Sequence, residues 1–398
     1  MNDGHVVIVG AGQGGVQAAL SLRQEGHGGA ITLIGDEEGL PYQRPPLSKD
    51  YLKTGQAERL VLRPADYFDR KAINLWTGRR VDGIDRAARR VHVGQDTLTY
   101  DRLILATGTR NLIPPIPGIG RAFGLRTLAQ AKRLRDALNG TRRIAVIGGG
   151  FIGLEVAAVA RAGGHEVHVA EAAPRLMSRV LSPQMSERFR AKHEALGTRF
   201  HLGNGVTELR DGCIVLASGV TIDADLVLLA AGVRPNTELA EAAGLAVDNG
   251  VVVDPLLRTS DPEIYALGDC CAFPDPGSGN HVRLESVQAA TDQARAIART
   301  IVHGAQEPYA KVPWFWSDQA DWKLQIAGLA DPDATSVTVG EDTVFRFSGN
   351  RLCAVETINN AKVHMQARKV LARRPAPAYD DLARCGFDLG RETEKDRV

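Results

Sequence analysis

Two glycine runs carry the first chemistry in this chain, Gly10-Ala11-Gly12-Gln13-Gly14-Gly15 and Gly148-Gly149-Gly150-Phe151-Ile152-Gly153. Both have the spacing G-x-G-x-x-G. At such a run the backbone turns tightly, approaches a pyrophosphate closely, and lets the next helix pack against the preceding strand. The unpaired N–H groups at the start of that helix then face the phosphates. An acid completes each pattern: Asp36 and Glu171 stand roughly 25 residues beyond the first glycine, where a carboxylate accepts hydrogen bonds from a ribose. One run alone is an ordinary glycine turn. Two complete fingerprints predict two bound dinucleotides. Three further residues could act on what is bound. Glu155 lies two residues past Gly153, in a first helical turn where the dipole favours a carboxylate in any case. Lys49 ends the run Leu40-Pro41-Tyr42-Gln43-Arg44-Pro45-Pro46-Leu47-Ser48-Lys49, whose prolines rule out a regular helix and can hold a side chain in a fixed place. Asp269 follows Gly268 at the end of a strand, suited either to a hydroxyl of a bound group or to a helix N-cap.

The elements that must position these residues are legible in outline. Val6–Val9 and Ile144–Ile147 read as buried strands entering the two glycine turns, and Ala/Leu/Val-rich helices follow each. Ile31–Ile34 and Val167–Ala170 read as the strands that end at Asp36 and Glu171. A later strand ending in Ala-x-Gly recurs at 101–108 and 224–232, so the repeat is larger than the fingerprint. Short alternating bursts between 60 and 100 predict an antiparallel excursion. Residues 285–302 read as a helix, 336–339 and 343–347 as strands, 360–374 as a basic helix, and 391–398 as a disordered charged tail. Proline linkers flank the second copy (113–118 and 234–236), which predicts one nucleotide-binding domain inserted in another. The expected division is 1–110 and 235–312 for the first nucleotide domain, 111–234 for the second, and 313–398 for a C-terminal α+β domain. The fold class is therefore α/β, with two Rossmann-like domains.

Composition agrees with an ordinary soluble globular protein. The 398 residues are 44% hydrophobic and 24% charged, and a net charge of +1 argues for neither a nucleic acid nor an anionic membrane as partner. The apolar runs are too short to span a bilayer. The first strand begins within about five residues, which predicts no signal peptide. Five cysteines, Cys213, Cys270, Cys271, Cys353 and Cys385, fit a reducing, cytoplasmic setting. They supply neither the C-x-x-C nor the C-x₄-C pair of a flavin disulfide reductase, nor an iron–sulfur cluster run. None of the ten histidines has metal-ligand spacing, so no metal is expected.

Taken in order, GAGQGGVQAA, PYQRPPLSK, LATG, GGGFIGLEVA, EAAPRLMSRV, ALGDC, RLESVQ and VPWFWSDQ resemble the FAD-dependent ferredoxin reductases of oxygenase systems over nearly the whole chain. The resemblance implies a glutathione-reductase-like arrangement, with FAD on the first fingerprint, NAD on the second and an interface domain after residue 312. It implies FAD contacts from Gly10, Gly12, Gly14, Gly15, Asp36, Lys49, Val81, Arg126, Asp269 and Val287. It implies NAD contacts from Gly150, Ile152, Gly153, Glu155, Glu171, Arg179, Glu285 and Trp316. Lys49, Glu155 and Trp316 become the expected catalytic residues. Glu155 would bind the nicotinamide carboxamide and pair with Lys49, Lys49 would balance charge on reduced flavin, and Trp316 would pack beside both rings. Gly14 departs from the alanine common in similar proteins. Enzymes of this architecture that are oxidases or peroxidases keep a cysteine in the loop after the first ribose acid, and residues 37–59 hold none. The expected activity is NADH-dependent reduction of a [2Fe–2S] ferredoxin that feeds an oxygenase of aromatic catabolism. Reduction of rubredoxin or a small molecule, or an NADH-sensing flavoprotein with a protein partner, stays open as the alternative.

Overall fold

The computed structural model describes residues 3–277, 279–373 and 375–394, which form two compact units. The first comprises Met1–Gln43, Ala57–Arg110 and Val233–Lys311, and the second Arg44–Gln56, Asn111–Gly232 and Val312–Val398. The proline-rich segment is thus divided, residues 40–43 lying in the first unit and 44–49 in the second, whereas the sequence division leaves all of it in the first domain.

In the first unit, five parallel strands line up as Ile264–Ala266, Arg102–Leu105, Val6–Val9, Ile31–Ile34 and Ile73–Trp76. All four residues of Val6–Val9 are buried, as expected for a strand with both faces covered. The helix Gln13–Gln24 packs against Val287–His303, whose buried side includes Ala289, Ala290, Ala294 and Ala298 and admits a close neighbour. The expected excursion is a three-stranded antiparallel sheet of Gly83–Asp85, Arg90–Val93 and Asp96–Thr99.

The second unit repeats the plan with Arg199–Leu202, Glu166–Glu171, Arg143–Ile147, Leu226–Leu229 and Phe123–Gly124, again parallel. It adds an antiparallel five-stranded sheet, ordered Trp314–Gln319, Trp322–Gly328, Arg351–Ile358, Thr343–Ser348 and Thr335–Val339. The two parts share a core: Leu154, Leu176, Met177 and Phe189 lie with Leu324, Ile326, Val344 and Ile358. Phe151 meets Phe315 with ring centroids 4.7 Å apart, and Phe189 meets Trp322 edge-on at 5.3 Å. Beneath that core Glu356, fully buried, accepts from the Ser182 N–H (2.8 Å) and from Arg346 Nη1 (3.0 Å).

Two local expectations change, and the proline run agrees with its reading. The basic helix spans Ala361–Leu371, capped by Asn360 and shorter than expected. Leu389–Glu394 is helical, so residues 391–394 are ordered, and 395–398 lie outside the described residues. The proline run closes as a 3₁₀ turn, Pro45–Ser48, followed by the short helix Asp50–Thr54. Among the described residues no helix is long and apolar enough to cross a membrane.

Candidate functional site

At the first turn Gly10 has φ +109°, and a Cβ there would lie 2.2 Å from the Ala106 carbonyl oxygen. A Cβ on Gly15 would lie 1.9 Å from the Gly10 carbonyl oxygen, whereas one on Gly12 meets nothing within 4 Å. The second turn repeats this. Gly148 has φ +106° and would bring a Cβ to 2.4 Å from the Ala230 oxygen, Gly153 would meet the Gly148 oxygen at 2.3 Å, and Gly150 faces open space. In both copies the first glycine turns, the third packs, and the second leaves room for a phosphate against the backbone. The helices that follow, Gln13–Gln24 and Phe151–Ala162, have no side-chain cap. Among the described residues, the other helices of more than ten residues are capped by Thr127, Ser182, Ser286 and Asn360. Both turns therefore fit a dinucleotide: free helix N–H groups beside an open cradle. The Gly14 departure has a local reason, since a Cβ there would lie 2.4 Å from Leu267 Cδ1.

Of the ribose acids, Asp36 is exposed at the end of its strand. Glu171 is tied to the second turn, accepting from the Gly149 N–H and the Ala173 N–H, each at 2.7 Å. Nearby Arg175 is committed inward, to the Leu181 and Ser178 carbonyls at 2.6 and 2.7 Å, while Arg179 is exposed.

The second unit also assembles a cluster around Glu155. This residue is 6% exposed and stands fifth in Phe151–Ala162, just past the first turn in which the sequence reading placed it. Its Oε1 lies 3.1 Å from Lys49 Nζ and accepts from Ser317 Oγ at 2.6 Å, and its Oε2 accepts from Ser48 Oγ at 2.5 Å. Lys49 Nζ also reaches Asp318 Oδ2 at 3.3 Å. Burial pushes the Glu155 carboxyl above its ordinary range, against the pull of the Lys49 ammonium and the two hydroxyls. A buried carboxylate opposite an ammonium, beside an uncapped helix start, can hold an amide-bearing ligand by accepting its N–H.

The remaining expected residues fall as follows. In the first unit, with the first fingerprint, stand Val81 (buried), Asp269, Glu285 and Val287. Asp269 lies inside the 3₁₀ turn Gly268–Cys270, accepting from Thr109 Oγ1 at 3.3 Å; Leu267 is at the cap position, which corrects the N-cap reading. Val287 opens its helix after the Ser286 cap, and Glu285 pairs with Arg283 at 2.8 Å. In the second unit, with Gly150, Ile152, Gly153 and Glu171, stand Lys49, Arg126, Arg179 and Trp316. The Arg126 carbonyl accepts from Arg44 Nη1 at 2.8 Å. Trp316 is half-buried, tilted against Trp314 with centroids 5.6 Å apart.

Sequence reasoning passed over Ser48, Ser317, Asp318, Gln319 and His193. Four of them sit inside quoted motifs. Period-2 alternation along Trp314–Gln319 could have singled out Ser317 and Gln319, both buried, from Trp316 and Asp318 on the other face. His193 carries no sequence signal. The five cysteines are free, and burial raises the thiols of Cys270 and Cys271 away from reactivity.

Comparison with known proteins follows the same lines. The family described as "Pyridine nucleotide-disulphide oxidoreductase" matches residues 4–294, and "Reductase C-terminal" matches 314–392. The chain is similar to a rhodocoxin reductase of Rhodococcus erythropolis, 47% identical over 99% of this chain and 96% of that protein. It is 41% identical to the ferredoxin–NAD(+) reductase component of an anthranilate 1,2-dioxygenase system of Burkholderia cepacia, over 95% of this chain and 96% of the other. A rubredoxin–NAD(+) reductase of Pseudomonas putida is also 41% identical, over 90% and 96%. Among solved structures, a covalent putidaredoxin reductase–putidaredoxin complex superposes with a TM-score of 0.93 at 36% identity, covering 100% of this chain and 99% of that one.

Proposed function

Because the chain belongs to the ferredoxin reductases of oxygenase systems, a branch of the pyridine nucleotide-disulphide oxidoreductases whose members bind FAD and NAD(P)H, we propose that it oxidises NADH on bound FAD and reduces a [2Fe–2S] ferredoxin. The observation that carries this reading is the buried Glu155–Lys49 pair, whose carboxylate stands on the helix that the second fingerprint opens. FAD, when bound, supplies the change from two-electron to one-electron chemistry that no side chain can. The protein's part is to hold and to poise. Gly10, Gly12, Gly14 and Gly15 with Asp36 hold the FAD pyrophosphate and ribose, and Val81, Arg126, Asp269 and Val287 support the rest of that cofactor. Gly150, Ile152, Gly153, Glu171, Arg179 and Glu285 hold NADH. Glu155 accepts from the nicotinamide carboxamide and so orients the ring, Trp316 offers a flat apolar face, and the Lys49 ammonium balances negative charge gained on reduction.

Coenzyme choice rests on Glu171, whose carboxylate accepts from a ribose 2′-OH and repels a 2′-phosphate. NADH is expected to be preferred, and Glu171→Ala to narrow the preference mainly by lowering KM for NADPH, with Arg179 left free to meet the phosphate. Equal kcat/KM for both coenzymes in the unmodified protein would contradict this assignment.

The acceptor is tested by NADH-driven cytochrome c reduction with ferredoxins and rubredoxins added one at a time. A ferredoxin-dependent rate that falls with salt is expected, because such ferredoxins are acidic and basic residues steer them. Among the basic residues of the late segments, Arg373 is tied to Glu392 and Arg368 lies over Trp314, 4.6 Å from its centroid, while Arg374 lies outside the described residues. Arg295 and Lys311 are exposed and Arg299 half-buried. Charge reversal at any of these three is expected to slow ferredoxin reduction several-fold at low ionic strength and to leave NADH–ferricyanide turnover nearly unchanged. The similarity to a rubredoxin reductase makes rubredoxin the second reading, and turnover with rubredoxin alone would establish it.

A further inference from the structure

A polar chain leads from Glu155 into the interior of the second unit, and the chemistry proposed above does not use it. Ser317 Oγ, 2.6 Å from Glu155 Oε1, lies 3.1 Å from Gln319 Nε2. Gln319 Oε1 lies 2.9 Å from His193 Nε2. Ser317, Gln319 and His193 are each at most 1% exposed, so water does not compete for these bonds. His193 Nδ1 is buried without a partner.

The direction of every bond follows from the carboxylate end. An ionised carboxylate only accepts, so the single Ser317 proton goes to Glu155. Toward Gln319 the same hydroxyl can then only accept, which requires the amide nitrogen on that side. The amide oxygen is left for His193, whose Nε2 must carry the ring proton. Met177 Sδ, a weak acceptor 3.7 Å from Gln319 Nε2, agrees with an N–H there. The alternative order, with the amide reversed and His193 protonated on Nδ1, would orphan a buried N–H and turn the Ser317 proton away from Glu155.

We propose that His193 and Gln319 are positioning residues that lock the Ser317 hydroxyl as a donor to Glu155, and so keep that carboxylate ionised and facing Lys49. The proposal rests on the reading of Glu155 as the nicotinamide-side carboxylate. The charged and titratable groups around it are few. Lys49 approaches from the proline segment with Asp318 beyond it, and His193 stands at the far end of the chain. Burial, helped by neighbouring Lys192, pushes the His193 pKa down, so the ring stays a neutral donor. Burial pushes Glu155 up, and Lys49, Ser317 and Ser48 oppose it, so each donor lost lets burial prevail further.

The test uses the holoenzyme. Gln319→Glu can only accept and therefore reverses the Ser317 proton, and His193→Phe removes the terminal donor. In both, the acid limb of NADH-driven flavin reduction is expected to move up by about one pH unit. His193→Gln, which keeps an N–H, is expected to restore the original limb. Two measurements do not depend on turnover. ¹⁵N spectra of the unmodified protein should show His193 protonated on Nε2 and not titrating near neutral pH. The infrared carboxyl band absent from Glu155→Gln should persist to higher pH in Gln319→Glu. A His193 ring protonated on Nδ1, or an unmoved infrared band in Gln319→Glu, overturns the proposal even if His193→Phe fails to fold. If NADH does not reduce the flavin of the unmodified protein, the functional reading fails instead, and the spectra decide the positioning chain alone.

Discussion

Lys49→Met is expected to lower kcat/KM for NADH-driven flavin reduction by about a hundredfold or more, in protein that stays yellow. Among the described residues the ammonium is the one positive charge placed against the buried Glu155 carboxylate, 3.1 Å away. Without it, Glu155 is a buried carboxyl with two hydroxyl donors, and burial already dominates its pKa. Its protonated form is then favoured further, so the variant loses the ammonium and weakens the acceptor for the carboxamide. Stability should follow the same logic. A carboxyl whose folded pKa is raised above its ordinary 4.5 contributes stability present at low pH and lost as pH rises through the folded value. Removing Lys49 raises that value further. The destabilisation should therefore be small in acid and grow toward alkaline pH, to about 3 kcal/mol, as expected for breaking one side of a buried pair. Urea melts at a series of pH values measure it. Equal melts at acid and alkaline pH, or flavin reduction within a few-fold of normal, would contradict the pairing.

Gly15→Ala and Gly153→Ala are expected to separate the two nucleotides. The added Cβ would fall 1.9 Å from the Gly10 oxygen in one and 2.3 Å from the Gly148 oxygen in the other, and backbone cannot give way as a side chain can. Gly15→Ala should purify with little flavin, its strand–turn–helix contact forced open. Gly153→Ala should keep its flavin and be reduced normally by dithionite, while KM for NADH rises about ten- to hundredfold, the range for overpacking at a close contact. Flavin content by absorbance and steady-state kinetics read the two outcomes. Loss of flavin from Gly153→Ala, or full NADH saturation in it, would show that the fingerprints do not divide the work as assigned.

How far the sequence could be read depended on the range of the interaction. The glycine turns are local: positive φ at Gly10 and Gly148, and packing against the preceding strand, involve residues close in the chain, so spacing alone located them. The parallel sheets followed, because Val6–Val9 and Ile144–Ile147 are apolar on both faces. The proline segment was read as rigid, but the membership of residues 44–49 in the second unit depends on Lys49 meeting Glu155 some hundred residues away, which no local pattern encodes. Trp314–Gln319 stood out for its aromatics, yet its inward Ser317 and Gln319 were hidden by them. His193 sits on an otherwise ordinary polar helix, and only the fold brings it to Gln319. The basic helix was overextended because charge carries past the Asn360-capped Ala361–Leu371 without marking where packing stops.

The two uncapped fingerprint helices make the stability of the fold sensitive to bound nucleotide. With Gly12 and Gly150 at the N-caps each helix lacks only a few tenths of a kcal/mol of capping, but its free N–H groups would gain a partner only while nucleotide is present. A ligand held at a hundred times its Kd adds about 2.7 kcal/mol to the folded state, enough to change how much chain escapes proteolysis. A cell short of riboflavin would then lose the protein itself as well as its activity, without any change in transcription.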